Sequence, residues 1–315
     1  MEYQEKLKEV KENIQKVMIG KQQVIDFVLT ALLAGGHVLL EDVPGTGKTV
    51  LAKTLAKSIR AEFSRIQFTP DLLPSDVTGL NYFNQKQGEF VFRKGAVFAN
   101  IVLGDEINRA TPRTQSSLLE CMEEKQVTID GQTRPTGDPF FVIATQNPVE
   151  TAGTFPLPEA QLDRFLMQLD MGLPDAGEEL QILERFIRKD PLEEIQAVME
   201  LEQLKSLQCA CREVYIHPSL MEYLVAVVQA TRDGGKALLG VSPRGTLAFL
   251  RASQAYAFVQ GRDYVVPEDI KTLAVPVLSH RTVPAGGSPD SSEKRKLIRQ
   301  VLAAVAVPSE DWRDH

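Results

Sequence analysis

No apolar run in this sequence approaches the ~20 residues that crossing a bilayer requires. The N-terminal stretch MEYQEKLKEVKENIQ reads as a charged amphipathic helix, unlike a secretory signal or an Arg-rich transit peptide. A cytoplasmic protein without membrane insertion is therefore expected. Cysteine is scarce: Cys121, Cys209 and Cys211 fall at no metal-binding spacing and cannot make an even disulfide set. Cys209 and Cys211 stand two apart in helix-like sequence, so their side chains diverge and ordinary packing is expected. The four histidines are scattered, with no pair at ligand spacing. Positive charge is not in excess either. Residues 1–173 carry 18 basic against 22 acidic groups and residues 174–315 carry 17 against 20, for a net charge of −7. Neither part has the broad footprint of a phosphate-backbone binder, which makes nucleic acid an unlikely partner. What remains is an ordinary soluble composition, 43% hydrophobic and 24% charged, long enough for one large or two moderate domains.

Against that background one segment stands out. Residues 41–49 read EDVPGTGKT, between an apolar strand-like run (His37 to Leu40) and a helix-like run (Thr49 to Ile59). A strand, a Gly-rich turn and a helix N-terminus in that order make a polyphosphate cradle, because backbone N–H groups and the helix dipole converge on anionic oxygens. Pro44, Gly45, Thr46, Gly47, Lys48, Thr49 and Val50 are the expected nucleotide-binding residues. Lys48 would reach the β- and γ-phosphates, and the Thr49 hydroxyl would take a place on Mg²⁺. The strict pattern wants Gly where this chain has Asp42. That carboxylate is expected to close the strand and point away from the phosphates.

The first half alternates strand-like and helix-like segments, the signature of a parallel sheet flanked by helices. Strands are expected at 37–42, 64–68, 100–105 and 140–145, and helices at 3–17, 22–34, 48–60, 113–124 and 159–164. Two hairpins interrupt this pattern. One spans 81–95 around Gln87-Gly88; the other spans 126–136 around Asp130-Gly131, a strong two-residue turn signal. They are either surface decorations or projections towards a partner or pore. After Leu173-Pro174 the pattern turns helical, with helices expected at 178–188, 201–214, 218–231, 243–260, 267–279 and 293–306, and a mobile loop at 284–292. The expected architecture is an α/β P-loop core over 1–173 followed by an all-helical lid over 174–315.

A second motif narrows the chemistry. Residues 101–106, IVLGDE, form an apolar strand ending in two acids. Asp105 is placed to hold Mg²⁺, and Glu106 is a candidate general base for an attacking water. The second acid favours hydrolysis over transfer to a small acceptor. Another buried strand, FFVIATQNP, ends in Gln146 and Asn147, where a polar amide could orient water near a γ-phosphate.

These segments, with DLLPSDVTG (71–79), DEINRATPRTQSSLLECMEE (105–124), ATQNPVE (144–150), FPLPEAQLDRF (155–165) and SPRGTLAFLRAS (242–253), resemble the AAA+ ATPases and within them the MoxR group. The resemblance spans nearly the whole chain. It implies that Val17, Met18, Ile19 and Gly20 lie beside adenine and that Asn147 is the first sensor. It implies that Asp163 and Arg164 are presented to a neighbouring subunit's nucleotide, Arg164 as the arginine finger. Arg244 would be the second sensor, reporting γ-phosphate from the lid. Arg109 and Arg113 either face the subunit boundary or are solvated helix positions. The resemblance further implies ATP and Mg²⁺ as cofactors, hexameric rings, and chaperone-like remodeling or maturation of client proteins, often with von Willebrand A-domain partners. A nucleic-acid remodeling motor is the alternative, which the acidic balance disfavours. A GTPase switch would need an Asn-Lys-x-Asp segment, and none is present. If the cradle is correctly assigned, Lys48→Ala abolishes ATP binding in an equilibrium titration; tight binding by that variant discredits the assignment.

Overall fold

The computed structural model describes residues 2–41, 43, 45–147, 153–232, 235, 237–286 and 290–309. In chain order the strands of the core are β1 (Val38–Glu41), β2 (Phe63–Gln67), β3 (Gly79–Asn84), β4 (Glu89–Lys94), β5 (Ile101–Asp105), β6 (Gln126–Ile129), β7 (Gln132–Pro135), β8 (Phe141–Gln146) and β9 (Met167–Leu169). Five of them form one parallel sheet in the order β2-β5-β8-β1-β9. The apolar runs of β1, β5 and β8 are continuous because both faces of these central strands are covered. Val38, Leu40, Ile101, Leu103, Phe141 and Ile143 face one apolar cluster with the helices Glu2–Val17, Gln22–Leu33 and Lys48–Ser58. The alternate residues Leu39, Val102, Val142 and Ala144 face a second cluster with helix Pro112–Glu124. This two-sided alternation is the ordinary consequence of a strand's period of two.

The four expected sheet strands are present to within a residue or two, and β9 was not anticipated. It is three residues long and pairs only with β1, too brief to leave a periodic signature. Both expected hairpins form, β3 with β4 and β6 with β7. Asp130 and Gly131 both take positive φ (+49° and +76°), the type I′ turn that suits the twist of two-residue hairpins.

Past residue 174 the helices are Ala176–Phe186, Pro191–Glu194, Leu201–Arg212, Pro218–Ala230, Pro243–Val259, Pro267–Leu278 and Ser291–Ala304. Three begin with Pro in the first turn where helix starts were expected, since a missing N–H costs nothing there. Among the described residues this part is helical apart from an antiparallel ribbon, β10 (Ala237–Leu239) with β11 (Val283–Pro284), and an isolated bridge between Tyr215 and Tyr264. That ribbon takes up the start of the loop expected to be mobile at 284–292; residues 287–289 lie outside those described. One apolar cluster runs from Leu7 and Val28 into Leu204, Phe249 and Leu273, so the change of architecture near residue 174 is not a break in the core. Cys121 and Cys211 are buried while Cys209 is exposed, so the adjacent pair does diverge. Among the described residues no helix is long and apolar enough to cross a membrane.

His37, immediately before β1, is fully enclosed between the sheet and helix Pro112–Glu124. Its Nδ1 accepts from the Val142 N–H at 3.0 Å, so Nε2 carries the proton and donates to the Met122 carbonyl at 3.1 Å. Burial pushes its pKa down to about 4; the Met122 hydrogen bond opposes this, and the Lys125 and Arg244 charges add to it. His280 is likewise held well below its ordinary value by burial and by the Arg281 charge. An imidazole depressed in the fold takes up a proton sooner in the unfolded chain. Its contribution is complete above pH 6.5 and is lost as the pH falls towards 4. The protein is therefore expected to lose stability on acidification across that window. For His37→Gln the loss between pH 7 and pH 5 should be smaller by about 2 kcal/mol, read from denaturant unfolding at the two pH values.

Candidate active site

Strands β1, β5 and β8 end together, with Glu41 opposite Gln146 and Asp105 opposite Gln67 of β2. The loop leaving β1 turns on Gly45 and Gly47, both in the left-handed region (φ +88° and +91°), where a Cβ would be strained. Gly47 also passes so close to Met18 that an added Cβ would stand 3.3 Å from its Cε. Lys48 then opens a helix of 11 residues whose first turn points its free N–H groups into the turn of the loop. Asp42 and Pro44 lie outside the described residues, and so does the expected orientation of the Asp42 carboxylate.

The loop forms one wall of a cavity of about 450 Å³. Lys48, Thr49 and Val50 line it from the loop side, and Asp105, Glu106 and Asn147 line it from the strand tips. Thr46 is buried in the loop and donates to the Val43 carbonyl at 3.4 Å. The expected phosphate, metal and base residues thus meet in one place.

Three further residues, not anticipated, set the two acids. The Thr145 hydroxyl donates to Asp105 Oδ1 at 2.7 Å and accepts from the Glu106 N–H at 2.9 Å. Glu106 needs that anchor, because it sits at φ +57°, a conformation costing a non-glycine residue about 1–2 kcal/mol. Arg65 pairs with Asp105 Oδ2 at 2.7 Å. Gln67 donates to Glu106 Oε2 at 2.8 Å, and Arg109 stands 3.2 Å from the same oxygen. Arg109 therefore faces its own strand tip, while Arg113 is exposed.

This donor set fits a triphosphate with Mg²⁺. Glycine N–H groups and the Lys48 ammonium face the strand tips, where the Thr49 hydroxyl and the Asp105 carboxylate are the oxygens suited to a metal and Glu106 stands beside them. Among the described residues no group of three or more His, Cys, Asp or Glu could cage a metal by itself. Magnesium prefers such a site, taking one or two protein oxygens and completing its shell with phosphate and water.

A second cavity, of about 210 Å³, lies on the other side of the loop. Val17, Met18 and Ile19, the segment assigned to adenine by resemblance, line it together with Ile182 and Phe186 of helix Ala176–Phe186. Ile182 and Phe186 are one helical turn apart, and in a helix without a buried residue that spacing was the available signal. Gly20 does not line the cavity. It takes φ +71° against Glu178, whose Oε1 would lie 1.8 Å from an added Cβ, so its place is a close approach to helix Ala176–Phe186.

The remaining expected residues stand elsewhere. Arg164 Nε pairs with Glu123 Oε2 at 2.8 Å, and Arg244 pairs with Glu123 Oε1 at 2.9 Å. Together the two cations hold the Glu123 carboxyl below its usual range, the Arg164 hydrogen bond first. Glu123 follows Met122, which meets His37 at the start of β1, whereas the phosphate loop leaves the end of β1. At ~3.3 Å per residue, four strand residues separate the two ends by about 13 Å. Arg244 therefore does not enter its own chain's phosphate cavity, where a lid sensor was expected. Asp163 is not turned outward either: its carboxylate accepts from Arg281 Nε at 2.7 Å and from the Ser242 hydroxyl at 3.1 Å, inside the seam between core and lid. A buried guanidinium needs that charge, which is the physical reason Asp163 is not free for a neighbour.

Thr145→Val keeps the shape of the β8 tip and removes the hydroxyl that joins the two acids. Nucleotide affinity should change less than about 3-fold while hydrolysis falls about 10-fold or more, part of what a placed general base contributes. Phosphate release alongside a binding titration measures both, and an unchanged turnover rate rules the bridge out.

Residues 37–167 match the family model described as ATPase family associated with various cellular activities (AAA), and residues 229–301 match the AAA lid domain. The chain is 52% identical over 298 residues to the uncharacterized protein YeaC of Bacillus subtilis (strain 168), covering 94% of this chain and 93% of that one. It is 40% identical over 305 residues to Chaperone MoxR1 of Mycobacterium tuberculosis, covering 94% and 80% of the two chains. A crystal structure of a candidate ATPase from Cytophaga hutchinsonii superposes with a TM-score of 0.89 at 40% identity, over 98% of this chain and 96% of that one. Phosphate loop, paired acids, helical lid and these likenesses together make the chain a member of the MoxR family of AAA ATPases, and an ATPase.

Proposed function

We propose that this ATPase hydrolyses ATP in a ring of its own copies, hexameric by family resemblance, and uses the cycle for chaperone-like remodeling or maturation of partner proteins. The observation that carries the reading is the pairing of Arg164 and Arg244 on one carboxylate, Glu123, at the end of the sheet away from the chain's own phosphate loop. Two cations set aside there suit a neighbour's nucleotide, and Glu123 holds them ready for it.

Within the chain, the roles divide by position. Lys48 and the loop N–H groups bind the β- and γ-phosphates, and Val17, Met18 and Ile19 with Ile182 and Phe186 enclose the base. Thr49 and Asp105 would hold Mg²⁺, which when bound neutralises charge on the β- and γ-oxygens. Glu106, fixed through Thr145, takes the proton of the attacking water, and Asn147 orients that water. Asp163 acts indirectly, by stationing Arg164. A guanidinium delivered in trans adds about 10³–10⁵ in rate, so activity depends on assembly.

The chaperone-like part rests on the relative named Chaperone MoxR1 and on one surface feature. Hairpin β3–β4 carries Phe83 and Phe90, 53% and 74% exposed with rings 5.4 Å apart, an aromatic pair next to the polar turn that is suited to client contact. Proteins with von Willebrand A domains are the partners that the resemblance implies.

Glu106→Gln should bind ATP and hydrolyse it about 10²–10⁴-fold more slowly. Arg164→Ala should bind ATP equally well and lose its assembly-dependent rate. Mixed rings of the two variants should regain activity, because wild-type Glu106 and wild-type Arg164 then meet at some interfaces. Mixing proven by light scattering, with no recovered phosphate release, overturns the in-trans reading.

A further inference from the structure

Glu41 is the last residue of β1, and its side chain is only 9% exposed. Three donors converge on its carboxylate. Gln146 Nε2 reaches Oε1 at 3.1 Å, and Gln168 Nε2 reaches Oε2 at 2.8 Å, each from the strand adjoining β1. The third is Arg295, whose guanidinium stands 3.3 Å from Oε2. Arg295 belongs to the last described helix, Ser291–Ala304; the same nitrogen, Nη2, also donates to Asp170 Oδ1 at 2.8 Å, and Nη1 donates to Asp170 Oδ2.

The place of this cluster in the chain gives it meaning. Glu41 leads directly into the phosphate loop, and Gln146 directly precedes Asn147 at the cavity. One enclosed carboxylate therefore ties the entrance of the loop to the tip that carries Asn147. Two neutral amides compensate a buried carboxylate poorly, and among the described residues the cation paired with it is Arg295 of helix Ser291–Ala304. Glu41 and Arg295 are not among the cavity's lining residues.

We infer that Arg295 is a positioning residue for ATP hydrolysis. Through Glu41 and Gln146 it fixes Asn147 against the phosphate loop, giving the terminal helix a hold on the γ-phosphate end of the site. This rests on the role given above to Asn147. The glycine loop and Lys48 do not depend on the cluster, so binding persists without it. Placement of the attacking water does depend on it, and small misplacements there cost rate steeply.

The test uses the full chain with Arg295→Met, Arg295→Lys, Glu41→Gln, Asp170→Asn, Asn147→Ala and the Arg295→Met/Asn147→Ala double variant. Affinity for a non-hydrolysable ATP analogue, single-turnover hydrolysis and melting temperature are read for each. Arg295→Met and Glu41→Gln should each lower the single-turnover rate about 10-fold, with affinity within about 3-fold of wild type. Arg295→Lys should recover most of the rate, and Arg295→Met should add nothing in the Asn147→Ala background. Multiplying losses in the double variant overturn the proposal, as does Asp170→Asn reproducing Arg295→Met while Glu41→Gln is silent. Should Arg295→Met fail to fold, Glu41→Gln carries the same test with the Arg295–Asp170 pair intact. An Asn147→Ala variant of wild-type rate fails the Asn147 reading by itself; agreement between Glu41→Gln and Arg295→Met then still decides the Arg295–Glu41 link.

Discussion

A single guanidinium, taken out of water between core and lid, holds the functional parts of this protein in relation to one another. Arg281 is 4% exposed. It gives Nε to Asp163 Oδ1 and its remaining donors to the carbonyls of Phe165, Leu166, Val277 and Asp163. Burial pushes its pKa down to about 10 and the Asp163 charge pulls it back up, so it remains a cation at neutral pH. Such a pair adds little net stability over apolar packing, but losing one partner costs about 3–5 kcal/mol. Its value is in specifying geometry. Asp163 precedes Arg164, and Ser242, which also bonds Asp163, lies two residues before Arg244. The two arginines on Glu123 are thus stationed from one buried point.

The phosphate site obeys the same economy of fixed points at the other end of the sheet. Its acids are not held by their own strand alone, since β5 ends as the chain turns left-handed at Glu106. The neighbouring strand supplies Thr145, whose one hydroxyl satisfies a carboxylate oxygen and a backbone N–H together. Gln67 arrives from β2 on the opposite side. Because all three strands are parallel and in register, three side chains remote in sequence reach one edge without a loop having to carry them.

What could be read in the sequence follows from this. The phosphate loop, the paired acids, the strand tip at Asn147 and the Asp130-Gly131 turn are local patterns, and each was legible because its residues are contiguous. Thr145 and Asp105 are 40 residues apart, Arg281 and Asp163 are 118 apart, and no local pattern announces either contact. Thr145 ends the expected strand 140–145, and nothing in that run marks its hydroxyl as the bridge between two acids. The family resemblance alone assigns Asp163 to a neighbour's nucleotide, and its partner Arg281, 118 residues away, leaves no local sign near it. Strand β9 and the ribbon of β10 and β11 were missed for a plainer reason: two or three residues complete no period, and only pairing defines them.

The separation of the two arginines from their own phosphate loop constrains any assembly that uses them. A two-fold dimer presents the same patch from both partners, so cations and cavity would have to share one face. Here the cations stand on Glu123 at one end of the sheet and the cavity opens at the other. If the guanidiniums complete a neighbour's site, the contact joins unlike faces, head to tail. Such a contact leaves one unmatched cavity and one unmatched cation pair however many copies are added in line. Only closure into a ring gives every site its arginines. The seam that orients Arg164 and Arg244, centred on Arg281, would then also set the angle at which one copy meets the next.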